Sequence, residues 1–72
     1  MLTDGTYDAV VVDAEEAGDG AVALDLAVLA GPHKGELVTV HARGLDRDAL
    51  DLLAVPAMLT VADGRPSVVL EG

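Results

Sequence analysis

The stretch from residue 21 to residue 43 restricts the possible folds of this chain most strongly. Its first arm places apolar residues at every second position, namely Val22, Leu24, Leu26, Val28 and Ala30. Its second arm repeats the alternation with Val38, Val40 and Ala42. A period of two is typical of β-strands with one buried face. The stretch therefore predicts a long β-hairpin whose tip is the turn Gly31-Pro32-His33-Lys34-Gly35.

The same alternation predicts the register of this hairpin. A turn over residues 31–35 pairs Val28 with Val38, Leu26 with Val40 and Leu24 with Ala42. A slip of one residue would bury the polar side chains of the second arm, so the pattern disfavours it. In the predicted register Asp25 lies opposite His41 on the outer face, Ala23 lies opposite Arg43, and Leu29 lies opposite Leu37 near the tip.

The residues on either side of the hairpin predict further elements. Gly5 to Ala14 reads as a first strand, and because valines occur on both of its faces we expect it to bend or bulge. Residues 15–20 read as a polar loop. After Gly44, Leu45 and Asp46 are expected to begin a short helix, with Asp46 as N-cap and Leu45 and Leu50 at hydrophobic-staple spacing. Pro56 is expected to end this helix.

A second hairpin is predicted from residue 57 to residue 71. Asp63-Gly64 is a strong signal for a two-residue type I′ turn. A turn there pairs Val61 with Pro66, Leu59 with Val68 and Ala57 with Leu70. Pro66 lacks an amide hydrogen, so we expect the last strand to lie at a sheet edge.

The predicted order of elements is β1-β2-β3-α-β4-β5 over a single domain, residues 1–72. This is the order of the OB-fold, a mainly β, five-stranded and partly open small barrel with one short helix between its third and fourth strands. An SH3-like barrel is the alternative, with a 3₁₀ turn in place of the helix.

Composition limits the classes of function. The chain has 72 residues, thirteen acidic and four basic, for a net charge of −9. Such a surface repels phosphate backbones and anionic lipid. There is no Cys, so disulfides and thiolate metal sites are excluded. No apolar run approaches the ~18 residues of a membrane span, and no signal peptide is evident at the start, so a cytoplasmic location is expected.

Two groups of residues are candidates for contacting a ligand or partner. The outer face of the long hairpin carries Asp25, Thr39, His41 and Arg43, and OB-folds bind ligands on the surface of strands two and three. An Asp25–His41 pair would make this face sensitive to pH. His33 and Lys34, at the tip, are candidates for contact with an anionic partner. The alternatives are an ordinary solvated sheet face and simple turn residues.

No pattern points to catalysis, a metal or a cofactor. The two histidines lack zinc-ligand spacing, and the acidic stretch from Asp13 does not match a calcium loop. We therefore predict a non-enzymatic binding module that contacts a protein. A homodimer is a further possibility, formed through four outward apolar residues: Leu29, Leu37, Met58 and Val69. The size and the charge of −9 also allow an acidic nucleic-acid mimic.

Three stretches carry a resemblance to known sequences. Gly5-Thr6-Tyr7-Asp8-Ala9-Val10-Val11 with Ala14-Glu15, and Leu24-Asp25-Leu26 leading to Gly31-Pro32-His33-Lys34-Gly35, resemble a small phage and mobile-element family of unknown function. That family is OB-like and is sometimes grouped with single-stranded-DNA-binding proteins, so the resemblance implies a barrel and a DNA-binding alternative. The stretch GLDRDALDLLAVPAMLTVADGRP resembles short actinobacterial hypothetical proteins.

Overall fold

Five antiparallel strands make up one sheet in the computed structural model, which describes residues 2–43 and 48–71. The strands are β1 (Gly5–Gly18), β2 (Ala21–Val28), β3 (Leu37–Arg43), β4 (Pro56–Ala62) and β5 (Arg65–Leu70). Their order is β3-β2-β1-β4-β5, so the first three strands form a meander and the fourth returns to lie beside the first. This is Greek-key topology. The sheet curls until its two edges, β3 and β5, contact each other, which confirms the predicted OB-like, partly open barrel.

Strand β1 lies at the centre of the sheet and serves both of its halves. Its first part pairs with β4 over Gly5–Val10, and Ala9–Gly18 pairs with β2. The ladder with β2 shifts register at Val12 and again at Ala17, so the predicted bulging of this strand is confirmed.

The predicted end of β1 at Ala14 and the predicted loop over residues 15–20 are wrong. The strand continues to Gly18 because Asp19 and Gly20 form a two-residue turn in which both φ angles are positive, 52° and 75°. These angles are those of a type I′ turn, which favours a tight hairpin. The glutamates before the turn therefore belong to the strand.

The β2–β3 hairpin forms with the predicted faces but in a different register. The structure pairs Leu24 with Val40 and Leu26 with Val38, a shift of two residues from the prediction. A two-residue shift leaves every side chain on its predicted face, so the hydrophobic alternation does not detect it. Consequently Leu37 lies opposite Ala27 and not opposite Leu29.

A bulge at Gly35 causes this shift. The Gly35 N–H donates to the Val28 carbonyl at 2.9 Å, and the Val28 N–H donates to the Glu36 carbonyl at 3.0 Å. Two residues of one arm thus oppose one residue of the other, and Gly35 has a φ of +91°. This is a G1-type bulge. It leaves Leu29 outside the β2–β3 ladder, where its N–H donates to the Asp8 carbonyl at 2.9 Å.

The β4–β5 hairpin has the predicted register throughout. Val61 pairs with Pro66, Leu59 with Val68 and Ala57 with Leu70. Asp63 and Gly64 have φ angles of 54° and 73°, which confirms the type I′ turn. The Asp4 carboxylate accepts hydrogen bonds from both turn amides, at 3.0 Å from Asp63 and 3.2 Å from Gly64, and so ties the start of the chain to this turn.

The predicted helix is a single 3₁₀ turn, Ala49–Leu52. Leu52 is fully buried, whereas Leu50 is 79% exposed, so the expected apolar side is narrower than its sequence indicated. The predicted cap Asp46 and its neighbour Leu45 lie outside the described residues. Although a 3₁₀ turn was the feature expected of an SH3-like barrel, the Greek-key strand order identifies the OB-like arrangement.

The core lies between the inner faces of the curled sheet and the 3₁₀ turn. Its fully buried, largest side chains come from β1, β2, β4 and the turn: Val11, Leu24, Leu26, Val28, Leu52 and Leu59. The inner side chains of the two edge strands are less covered. Val38 and Ala42 on β3, and Val68 and Leu70 on β5, are only half-buried. The barrel is thus well packed at its centre and incomplete where β3 meets β5.

Candidate binding site at the barrel seam

The outer face of the β2–β3 hairpin contains the four residues predicted there, but it does not pair them as predicted. Asp25 lies opposite Thr39, and the Thr39 hydroxyl donates to Asp25 Oδ1 at 2.7 Å. His41 lies opposite Ala23. The predicted Asp25–His41 pair is therefore wrong, because the bulge at Gly35 moves β3 by two residues relative to β2.

Arg43 lies at the end of β3, opposite Ala21 and not opposite Ala23 as predicted. Its Nη1 donates to the carbonyl of Asp19 at 2.9 Å. The side chain therefore reaches across to the turn between β1 and β2. This bond satisfies one of its donors with a neutral acceptor, so the positive charge of the guanidinium is not compensated by it.

The two candidates in the β2–β3 loop have different environments. His33 Nδ1 is hydrogen-bonded to Glu36 Oε2, and the His33 ring packs edge-on against Tyr7 with the ring centroids 5.9 Å apart. Tyr7, the only aromatic residue of the chain, is also hydrogen-bonded to Thr3. His33 thus packs within the fold, while Lys34 is exposed at the tip.

The structure also brings together two strand edges that the sequence argument did not combine. Because neighbouring strands in the order β3-β2-β1-β4-β5 are antiparallel, β3 and β5 run in the same direction. They face each other across the opening of the barrel. We call this opening the seam, and define it as the facing edges of Leu37–Arg43 and Arg65–Leu70.

Two grooves lie along the seam, one on each side of Pro66. The first, of about 330 Å³, is lined from β3 by Leu37, Val38 and Thr39, and from elsewhere by Leu2, Val61, Gly64 and Pro66. The second, of about 430 Å³, is lined by Val40, His41, Ala42 and Arg43 of β3 and by Pro66, Ser67, Val68 and Leu70 of β5. Both volumes fall in the range of ligand-binding clefts.

The hydrogen-bond pattern indicates which backbone groups face the seam. The bond from the Val28 N–H to the Glu36 carbonyl shows that the backbone of residue 36 points toward β2. In an antiparallel pair this direction alternates from one residue to the next, so the backbone groups of residues 37, 39, 41 and 43 point away from β2. On the other side of the barrel, the Glu71 N–H donates to the Pro56 carbonyl at 2.9 Å, so the backbone of residue 71 points toward β4. Residues 66, 68 and 70 then direct their backbone groups away from β4. The seam is thus lined by backbone polar groups of two strand edges.

The seam differs in charge from the rest of the molecule. Neither edge strand contains a carboxylate, although the chain has thirteen acidic residues. Arg43 and His41 lie on β3, and Arg65 begins β5. The seam therefore forms a neutral to basic strip on an acidic protein.

The predicted dimer residues lie on outer faces. Leu37 and Val69 are each 68% exposed, and Leu29 is also exposed, while Met58 is half-buried. No group of three or more metal-ligating side chains is found within residues 2–43 and 48–71. In the same part of the chain, no helix is long and apolar enough to span a bilayer.

These features define a small OB-like open barrel with grooves along the seam between its two edge strands. The chain was compared with protein families, curated proteins and solved structures, and none of them matches it.

Proposed function

We propose that this chain is a non-enzymatic binding module and that its partner is a protein. The observation that carries the proposal is the seam, where two strand edges present backbone donors and acceptors beside half-buried apolar side chains. Such edges are templates for pairing with another chain. If the two strand edges have no partner, part of the inner apolar surface beside them is exposed to water. A partner that covers the seam would bury this surface, and that burial favours binding.

A protein partner fits these features better than single-stranded nucleic acid does. Proteins that bind single strands combine a basic groove with aromatic side chains on which bases stack. Here Tyr7 is held against His33 and Thr3, and the net charge of −9 opposes the approach of phosphates. The DNA-binding alternative and the acidic mimic both remain testable against this proposal.

The test is affinity capture with the full chain as bait, in nuclease-treated lysate of the source cell, followed by mass spectrometry. The matched control bait is His41→Pro. The His41 N–H faces the seam in the alternation above, so proline removes a seam donor without breaking the β2–β3 ladder. Circular dichroism verifies that both baits are folded.

We expect a protein that wild type retains and His41→Pro loses. A partner retained equally by both baits would support a binding module but place its site away from the seam. Fluorescence anisotropy with labelled oligonucleotides is the parallel measurement. Tight binding that weakens steeply with added salt, without any protein partner, would refute the proposal in favour of the DNA-binding alternative.

A further inference from the structure

We infer that the larger groove of the seam, beside Val40–Arg43, binds an extended peptide segment in which aliphatic residues alternate with acidic ones. The inference rests on the proposed function and adds the chemistry of the partner. In this arrangement the segment pairs with the edge of β3, and β5 moves aside where it now contacts β3. The aliphatic side chains of the segment cover the inner face, and its carboxylates lie near Arg43. Three independent features of the structure support it.

The first feature is the contrast between two exposed strand edges. Beyond Val11, the β1 edge that faces away from β2 has no ladder partner in residues 2–43 and 48–71. This edge is interrupted by bulges at Val12 and Ala17 and carries Asp13, Glu15 and Glu16. Bulges and charges are the usual protection against pairing with another chain.

Strand β3 has no bulge, and its one permanent charge, Arg43, is its last residue. It pairs with β2 in unbroken register, and its sequence LVTVHAR contains no proline and no carboxylate. Strand β5, by contrast, has Pro66, which cannot donate to an added strand. The edge of β3 is therefore the one where strand addition meets the least resistance.

The second feature is the lining of the larger groove. Half-buried Ala42, Val68 and Leu70, together with the buried Val40, provide an apolar floor. The backbone groups of His41 and Arg43 face the same groove by the alternation derived above. An extended segment satisfies both, because its backbone pairs with β3 while every second side chain points to the floor.

The third feature is charge complementarity. None of the residues that line the larger groove is acidic, and Arg43 and His41 stand at its β3 side. Within the described residues, Arg43 donates to the Asp19 carbonyl and forms no salt bridge. A partner carboxylate would therefore meet a cation that is not paired with a carboxylate among residues 2–43 and 48–71, whereas a lysine at the same place would be repelled by Arg43. The net charge of −9 acts over longer distances, where salt screens it.

The test is a titration of the ¹⁵N-labelled full chain with a capped peptide, acetyl-Glu-Val-Glu-Val-Glu-amide, monitored by NMR. We expect amide shifts concentrated at Val40–Arg43, Val68 and Leu70. At about 0.15 M salt, where charges more than about 8 Å away are largely screened, the matched peptide with lysine in place of glutamate should bind about tenfold more weakly, because its charges oppose Arg43. The capped ends ensure that a terminal carboxylate does not produce the signal.

Two charge reversals supply the matched protein variants. Arg43→Glu should lower the affinity for the glutamate peptide by about fivefold. Arg65→Glu is the same change at a residue that does not line the larger groove, and it should change this affinity by less than about twofold. Arg43→Lys should retain the affinity within about twofold, since it keeps the charge beside the groove. This variant separates loss of charge from loss of the bond to Asp19.

Several outcomes would overturn the inference. Amide shifts confined to the face around Asp25 and Thr39 would show that the peptide binds outside the groove. Equal effects of the Arg43 and Arg65 reversals would show that the peptide responds only to the overall charge of the protein. Tighter binding of the lysine peptide would contradict the assigned chemistry. Sedimentation showing a dimer that blocks the peptide would make a second copy the occupant. The capture experiment tests the proposed function separately. If one of these results appeared while the wild-type bait still retained a protein that the His41→Pro bait did not, the inference would fail and the proposed function would stand.

Discussion

Replacing Gly35 by valine tests the bulge that sets the β2–β3 register. Gly35 has a φ of +91°, outside the regions that residues with a Cβ adopt easily. A Cβ added there meets no atom within 4 Å. The cost of the substitution is therefore mainly backbone strain, because the added Cβ has open space around it.

The magnitude follows from two opposing contributions. Holding a β-branched residue at this φ costs of the order of 1–3 kcal/mol. Removing a glycine also restricts the unfolded chain, which offsets about 0.4–1 kcal/mol of that strain. We expect a net loss of about 1–2 kcal/mol in the free energy of unfolding, a large share for a domain whose core supplies only about 3–5 kcal/mol.

Urea denaturation followed by circular dichroism measures this loss. With an m-value of about 1 kcal/mol/M, the midpoint should fall by about 1–2 M. Lys34→Ala, one residue earlier in the exposed turn, should change stability by less than about 0.5 kcal/mol. Equal effects of the two substitutions would refute the bulge. Gly35→Asn should fall between them, because asparagine tolerates positive φ better than valine does.

Three further substitutions, two of them with a matched control variant, test other parts of the fold by the same denaturation. Asp4→Ala removes the acceptor of both turn amides and should cost about 1–2 kcal/mol, whereas Asp8→Ala, on the exposed surface, should cost less than about 0.5 kcal/mol. Leu52→Ala should cost about 2–5 kcal/mol because Leu52 is fully buried, and Leu50→Ala, at a residue that is 79% exposed, should be nearly neutral. Ala54 has a φ of 65°, so Ala54→Gly removes about 1 kcal/mol of backbone strain from the folded state. Glycine also raises the entropy of the unfolded chain by a similar amount, so the free energy of unfolding should stay nearly unchanged. A loss above about 0.5 kcal/mol for Ala54→Gly would contradict this reasoning.

The two hairpins show how far sequence reasoning extends. The β4–β5 register was predicted in full because a two-residue turn at Asp63-Gly64 leaves the pairing no freedom. The β2–β3 register was wrong by two residues because its longer loop admits a bulge, and a two-residue shift keeps the alternation intact. The same Asp-Gly signal stands at Asp19-Gly20, where the acidic residues before it favoured a loop.

The candidate site was predicted in part. Sequence placed Thr39, His41 and Arg43 on the third strand, and the structure puts all three at the seam. It did not bring β5 to the same place. A signal was present in the sequence, since both edge strands lack carboxylates in a chain with thirteen of them, but that absence has no meaning until the two strands are known to be neighbours.

The sequence by itself determined the number and order of the strands, the inner and outer faces of the β2–β3 hairpin and the tight turn at Asp63-Gly64. These are local properties, because the period of the side chains and the conformations allowed to a turn depend only on nearby residues. Only the tertiary structure decided that β3 and β5 face each other and leave most of their inner side chains half-buried. That result depends on the return of β4 beside β1 and on the curl of the whole sheet, which are set by packing between residues far apart in the chain.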